Sequence, residues 1–166
     1  MSFQRKVNPD GSPKKQLTPQ QAKLKIASFC AYQERCQQEV RDKLYSYGLN
    51  PEEVENLLSY MIEEGFLNEE RFAVAFVGGK FRIKKWGRNK ILNELKIRKI
   101  SPNCIKSGMK EIPAEEYWQT LQGLAEKKWE SMSDKNDFIR SQKVFRYLMS
   151  RGYEADLIQE VISRFE

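Results

Sequence analysis

The sequence predicts an all-α protein: three tandem three-helix repeats forming an elongated, curved array. Apolar residues recur at i and i+4, break, and recur again, and no segment shows the strict alternation of a strand. The run Glu39-Val40-Arg41-Asp42-Lys43-Leu44 returns in type as Lys90-Ile91-Leu92-Asn93-Glu94-Leu95 and as Lys143-Val144-Phe145-Arg146-Tyr147-Leu148, at offsets of 51 and then 53 residues. In that register Val54, Ile105 and Ile158 correspond, as do Leu58, Met109 and Ile162, and Met61, Ile112 and Phe165. Gly48 and Gly152 mark the same helix end in the first and third copies, and the offset of 51 also pairs Ala22 with Ala73, Ile26 with Val77 and Cys30 with Phe81. A unit of about 50 residues buries little surface alone, so neighbours must stack, and stacked helical units build a curved rod with a concave face.

Residues 1–17 combine Pro9, Gly11, Ser12 and Pro13 with four cations and no apolar period, which reads as a basic disordered tail. Thr18-Pro19 supplies an N-cap and a first-turn proline, and Gln21 sits where a capping-box partner belongs. Helices follow at 18–33, 37–47 and 51–64, the second ended and the third started by Gly48-Leu49-Asn50-Pro51. The second copy places helices at 69–84, 88–99 and 102–111, with Ser101-Pro102 at the corresponding break. The third places them at 114–131, 137–151 and 154–165, punctuated at Gly152-Tyr153. The expected domains are therefore the tail, then repeats at 18–68, 69–112 and 113–166.

Composition narrows the function. The longest apolar runs fall well short of the roughly 18 to 20 residues that span a bilayer, and the first fifteen residues lack the apolar stretch of a secretory signal. Cys30, Cys36 and Cys104 are odd in number and show no C-x-x-C pairing, which suits a reducing, cytoplasmic compartment. Histidine is absent, which removes Ser-His-Asp and Cys-His catalysis and the usual general base near neutral pH. The net charge of +6 is unevenly distributed: +3 over residues 1–17, −4 over 18–77, +10 over 78–110 and −3 over 111–166. Eleven cations against one anion within 78–110 repel one another unless a polyanion lies nearby, and a phosphate backbone is the commonest such partner.

The candidate binding residues are Lys80, Arg82, Lys84, Lys85, Arg88, Lys90, Lys96, Arg98 and Lys99, around a tight turn at Trp86-Gly87, with Lys106 and Lys110 as an extension. Arg88 and Lys90 open a helix, where cations oppose the macrodipole, and phosphate contact would compensate. No base-reading motif accompanies them, so binding to single- or double-stranded DNA should be sequence-independent and salt-sensitive. Phe76, Phe81, Trp86, Tyr117, Trp118 and Trp129 interleave with the charges, as in stacking platforms, although helical spacing assigns Phe76 and Phe81, and Trp118 with Leu121, Ala125 and Trp129, to core packing. Trp86 stays open between the two. Glu52, Glu53, Glu69 and Glu70 fall in first turns, where carboxylates complement the dipole, so a metal site is not expected at these acids or at Glu55, Glu63 and Glu64. The cysteines lack a partner base or zinc-ligand spacing and read as packing residues.

With the repeats placed, the chain resembles the RecX family, bacterial modulators of the RecA recombinase. The resemblance is carried by Leu67-Asn68-Glu69-Glu70-Arg71-Phe72-Ala73 followed by Lys85-Trp86-Gly87-Arg88-Asn89-Lys90-Ile91-Leu92-Asn93-Glu94-Leu95, with Glu39-Val40 and Lys43-Leu44 matching the family's first-unit pattern. It covers residues from about 18 to 166. Asn68 stands where the family usually has an acid and remains a competent N-cap, while Lys99 occupies a helix end where members commonly carry glycine, leaving the left-handed termination there open. The resemblance implies a non-enzymatic, cofactor-free, metal-free regulator that binds the RecA nucleoprotein filament, lowers strand exchange and co-protease activity, and so modulates DNA repair and the SOS response. Such a protein is expected to be a cytoplasmic monomer without membrane contact. The alternative from another class is a stand-alone nucleic-acid-binding helical module, since capped three-helix units also build helix-turn-helix readers. A carboxylate nuclease using Glu63, Glu64, Glu69 or Glu70 with magnesium is a third class that no residue pattern requires.

Overall fold

Local chemistry sets the helix starts. In the computed structural model, which describes Pro9 and residues 16–165, Thr18 Oγ1 accepts from the Gln21 N–H (3.2 Å) and Gln21 Oε1 accepts from the Thr18 N–H (3.0 Å), with Pro19 in the first turn. Asn50 and Glu53 form the same reciprocal box ahead of Pro51. The Asn68 side chain accepts from the Arg71 N–H at 2.8 Å, and Asn136 accepts from Phe138 and Ile139. The expected tail lies outside the described residues except at Pro9, Gln16 and Leu17, and there Leu17 donates its N–H to Tyr47 O (3.0 Å) and packs on the core formed by the first helices.

Nine α-helices and no strand occur among the described residues: α1 Pro19–Tyr32, α2 Gln37–Ser46, α3 Pro51–Glu63, α4 Glu69–Arg82, α5 Arg88–Ile97, α6 Pro102–Met109, α7 Ala114–Glu130, α8 Asp137–Ser150 and α9 Ala155–Ile162. Seven of the nine sequence-derived starts coincide with these, while the spans overrun the C-terminal ends by one to three residues, because the last turns tighten into i to i−3 hydrogen bonds such as Gly48 N to Tyr45 O and Lys99 N to Lys96 O. The chain forms two compact units, residues 1–72 and 73–166. In the first, α1, α2 and α3 pack together around Ala22, Ile26, Val40, Leu44, Val54 and Met61. In the second, α7, α8 and α9 pack together and α5 packs on α6, with Phe81, Ile91, Leu95, Tyr117, Leu121 and Leu148 buried.

The internal repeat persists in the packing. Val40, Ile91 and Val144, and Leu44, Leu95 and Leu148, are all 0% exposed, the same two positions on α2, α5 and α8. Each of these helices ends on a left-handed residue at one register position: Gly48 (φ 87°), Lys99 (φ 57°) and Gly152 (φ 94°). A buried apolar residue follows in each, Leu49, Ile100 or Tyr153, and the last two donate six-residue closures to Leu95 O and Leu148 O, both 3.1 Å. The glycine missing from the second copy therefore does not cost the turn; a lysine adopts it. A left-handed lysine is unfavourable by about 1 kcal/mol relative to glycine, so Lys99→Gly should raise the thermal midpoint by roughly 2 to 4 °C in a scan.

Two packing expectations are corrected. On α7 the buried stripe is Tyr117, Leu121 and Ala125, not Trp118 and Trp129, which are half-buried. Trp118 lies under Arg164 (4.8 Å), while Trp129 stacks on Phe165 (5.0 Å) beneath Arg140 (4.1 Å). The stripe matches Ala73, Val77 and Phe81 at an offset of 44, shorter than elsewhere because α7 runs further past its stripe and α8 begins further ahead of Val144 than their counterparts do. Phe81 is core, but Phe76 is only half-buried, with cations over its ring.

Candidate nucleic-acid interface

The loop between α4 and α5 carries Lys84, Lys85 and Trp86, and it is fixed from the third repeat. Arg151 Nη2 donates to Lys84 O, Tyr153 OH donates to Lys85 O (2.8 Å), and the Gly87 and Asn89 N–H groups donate to Arg151 O (2.8 Å) and Gly152 O (2.9 Å). Carbonyls from the end of α8 thus satisfy open donors at the start of α5, where Arg88 and Lys90 oppose the macrodipole. The contact is glycine against glycine: a Cβ on Gly87 would overlap the Gly152 carbonyl, and a Cβ on Gly152 would overlap the Lys90 Cβ and backbone nitrogen.

Held this way, five side chains of the second repeat alternate as cation and ring. Arg98 lies 4.9 Å from the Phe76 centroid, Lys80 lies 5.4 Å from Phe76 and 4.8 Å from Trp86, and Lys90 lies 4.5 Å from Trp86. Trp86, half-buried and flanked by Lys80 and Lys90, belongs to this ladder rather than to the core. Aromatic rings interleaved with ammonium groups bring aromatic surface and phosphate donors together, the combination that binds a nucleic-acid strand without reading its sequence.

The nine candidate cations do not act as one set. Arg88 pairs with Glu154 (3.2 Å) and lies over the Tyr117 ring (3.9 Å), Arg98 pairs with Glu94 (2.6 Å), and Arg82 donates to Glu111 O (3.1 Å) with Glu116 3.8 Å away. The charge of Arg88 is therefore compensated within the protein, and no phosphate contact is needed to account for it. The six lysines, Lys80, Lys84, Lys85, Lys90, Lys96 and Lys99, have no carboxylate partner among the described residues. Lys96 lies in the last turn of α5, about 9 Å along its axis from Lys90, Lys99 follows two residues past the helix end, and Lys106 on α6 and Lys110 at its C-cap are exposed, all outside the ladder's contacts. Sequence reading missed the split between arginines and lysines; the fork geometry of guanidinium, suited to fixed carboxylate pairs, was the available signal.

Tyr117 is the buried hub beneath Arg88. Its hydroxyl donates to Glu154 Oε1 (2.6 Å) and accepts from the Arg88 N–H (3.1 Å), and burial first, then the Glu154 hydrogen bond, pushes its pKa far above the ordinary value near 10. Tyr153 is likewise raised by burial. Because the folded-state pKa is the higher one, the stability these phenols contribute is complete below about pH 10 and lost as pH climbs above it. Urea midpoints measured between pH 8 and 11 should fall at the alkaline end, and Tyr117→Phe should flatten part of that fall.

Among the described residues, no group of three or more acidic or cysteine side chains could hold a metal ion, and no helix is long and apolar enough to cross a membrane. Cys30 and Cys36 are buried, which pushes both thiols up from their ordinary value, and Cys104 is partly accessible.

These features define an all-α three-helix-repeat protein with a cationic, aromatic-lined face on its second repeat. Residues 68–109 match the sequence model of the RecX second three-helix domain, and residues 115–162 that of the RecX third three-helix domain. The chain is 30% identical over 132 residues to Regulatory protein RecX of Clostridium perfringens strain 13, covering 78% of this chain and 61% of that protein. It is 25% identical over 138 residues to Regulatory protein RecX of Oceanobacillus iheyensis, covering 83% of this chain and 51% of that protein. The chain thus spans between half and two thirds of the length of these relatives. In fold it is similar to the crystal structure of RecX from Lactobacillus salivarius (TM-score 0.76, 20% identity, 88% of this chain and 95% of that one). A second crystal structure, of regulatory protein RecX, gives a TM-score of 0.75 at 19% identity over 89% of this chain and 75% of that one. The chain belongs to the RecX family.

Proposed function

We propose that this chain is a non-catalytic regulator that seats on a RecA-type nucleoprotein filament and lowers its recombinase and co-protease activity, acting as a cytoplasmic monomer in the modulation of DNA repair. The observation that carries the reading is the cation and ring ladder Arg98-Phe76-Lys80-Trp86-Lys90 on a repeat of this family, held on a loop that the third repeat fixes. A preorganised cationic face loses little conformational entropy on meeting a phosphate backbone, and several modest contacts along a filament add through multivalency. Purified protein titrated into a DNA-dependent ATP hydrolysis assay of the recombinase should lower the rate as it approaches stoichiometric amounts. An unchanged rate at that point would defeat the reading.

The same ladder also favours a stand-alone nucleic-acid-binding module. Fluorescence anisotropy on single- and double-stranded oligonucleotides separates the two: tight, sequence-selective duplex binding with no effect on the recombinase would support the module instead.

A further inference from the structure

Two local choices in the second unit run against backbone preference, and both face one groove. Lys85 adopts φ 55°, and with Lys99 it accounts for every non-glycine residue of positive φ among the described residues. Gly123 sits in the interior of α7, where glycine is the poorest ordinary helix former, yet a Cβ placed there meets nothing within 4 Å. Packing does not require this glycine; it leaves open space. Both residues line a groove of about 650 Å³ with Leu124, Lys127, Lys128 and Tyr147. Lys127 and Lys128 fall in the last turn of α7, where lysine complements the dipole, and the turn at Lys85 is held by Tyr153 OH on its carbonyl, but neither explains Gly123. A local rule broken without a structural return, as at Gly123, is expected where function intervenes.

The lining identifies the occupant. Three lysines, Lys85, Lys127 and Lys128, lack a carboxylate partner among the described residues, and the carboxylate that lines the groove, Glu116, lies 3.8 Å from Arg82. Lys128 Nζ stands 5.1 Å from the Tyr147 ring centroid, so an ammonium again accompanies an aromatic face, and Leu124 adds apolar surface. Phosphate donors beside a planar apolar floor fit a nucleotide better than an acidic peptide, which carries charge without planar bases. Lys85 precedes Trp86 directly, so the groove continues from the ladder in sequence.

We infer that this groove on the third repeat is a second contact for single-stranded DNA, in which Lys85, Lys127 and Lys128 bind phosphate and the space over Gly123 admits a base. The inference rests on the proposed nucleoprotein reading and extends it from the second repeat to the third. The test uses the full chain and a fluorescein-labelled oligo(dT) in anisotropy titrations across a salt series, beside the recombinase ATP hydrolysis assay. Gly123→Leu should fill the groove and weaken oligonucleotide binding on the order of tenfold. Gly123→Ala should melt about 2 to 4 °C higher, showing that the helix tolerates side chains at this position. Lys127→Gln with Lys128→Gln should reduce the slope of log affinity against log salt by about 1.4. Unchanged affinity and slope in these variants, while ladder variants lose both, would overturn the groove and leave the regulator reading standing. No oligonucleotide binding by the wild-type chain, or competition for the groove by polyglutamate alone, would also overturn it. Loss of oligonucleotide binding in the groove variants without any wild-type effect on the recombinase would instead uphold the groove and defeat the regulator reading.

Discussion

Gly152→Ala should destabilise the protein by about 3 to 5 kcal/mol in urea unfolding. Three costs coincide there. The residue has φ 94°, which an L side chain rarely adopts, and its Cβ would overlap the Lys90 Cβ and backbone nitrogen. Moving α5 away to relieve that overlap would stretch the hydrogen bonds from Gly87 to Arg151 O and from Asn89 to Gly152 O, leaving donors at the start of α5 unsatisfied. Gly48→Ala is the control. It occupies the same register position with φ 87°, but its Cβ would meet the flexible Gln16 Cγ at 3.0 Å, so its cost should be about 1 to 2 kcal/mol. Equal losses at the two positions would show that the glycine contact between α5 and the end of α8 is not what fixes the loop.

Combining Lys80→Gln, Trp86→Ala and Lys90→Gln should weaken DNA or filament binding on the order of a hundredfold while leaving helicity by circular dichroism unchanged. The estimate takes one stacking platform at about 1 to 3 kcal/mol and two phosphate contacts, which should also flatten the salt dependence by about 1.4 in slope. Arg88→Gln must be kept apart from such a set, because it breaks the Glu154 pair over Tyr117 and would report on stability as much as on binding. Binding unchanged in the triple variant would remove the ladder from the mechanism.

Much of this was legible in the sequence wherever the determining chemistry is local. Thr18-Pro19 with Gln21, and Asn50-Pro51 with Glu53, specify their helix starts within four residues, and the structure forms both boxes. The positions Val40, Ile91 and Val144 were found because the offsets of 51 and 53 hold across α2, α5 and α8. That register failed for α7, since the extra length at the end of α7 and the start of α8 shifts its stripe to Tyr117, Leu121 and Ala125. The counter-charge of Arg88 is Glu154, 66 positions away, and periodicity carries no information about such a pair. Lys99 shows the limit of reading a turn from residue type: packing of Ile100 and its closure to Leu95 O outweigh the preference for glycine. Trp86 had two readings of similar strength in the sequence, and only the positions of Lys80 and Lys90 over its ring distinguish them.

The placement of the cysteines gives the two units separate chemical clocks. Cys30 and Cys36 are sealed within residues 1–72, whereas Cys104 on α6 is partly open in residues 73–166. A maleimide or disulfide reagent would therefore modify Cys104 from the native state, while the other two thiols would react only as fast as their own helices part. Timed alkylation followed by mass spectrometry would then follow the opening of the first unit in the intact chain, with no introduced probe.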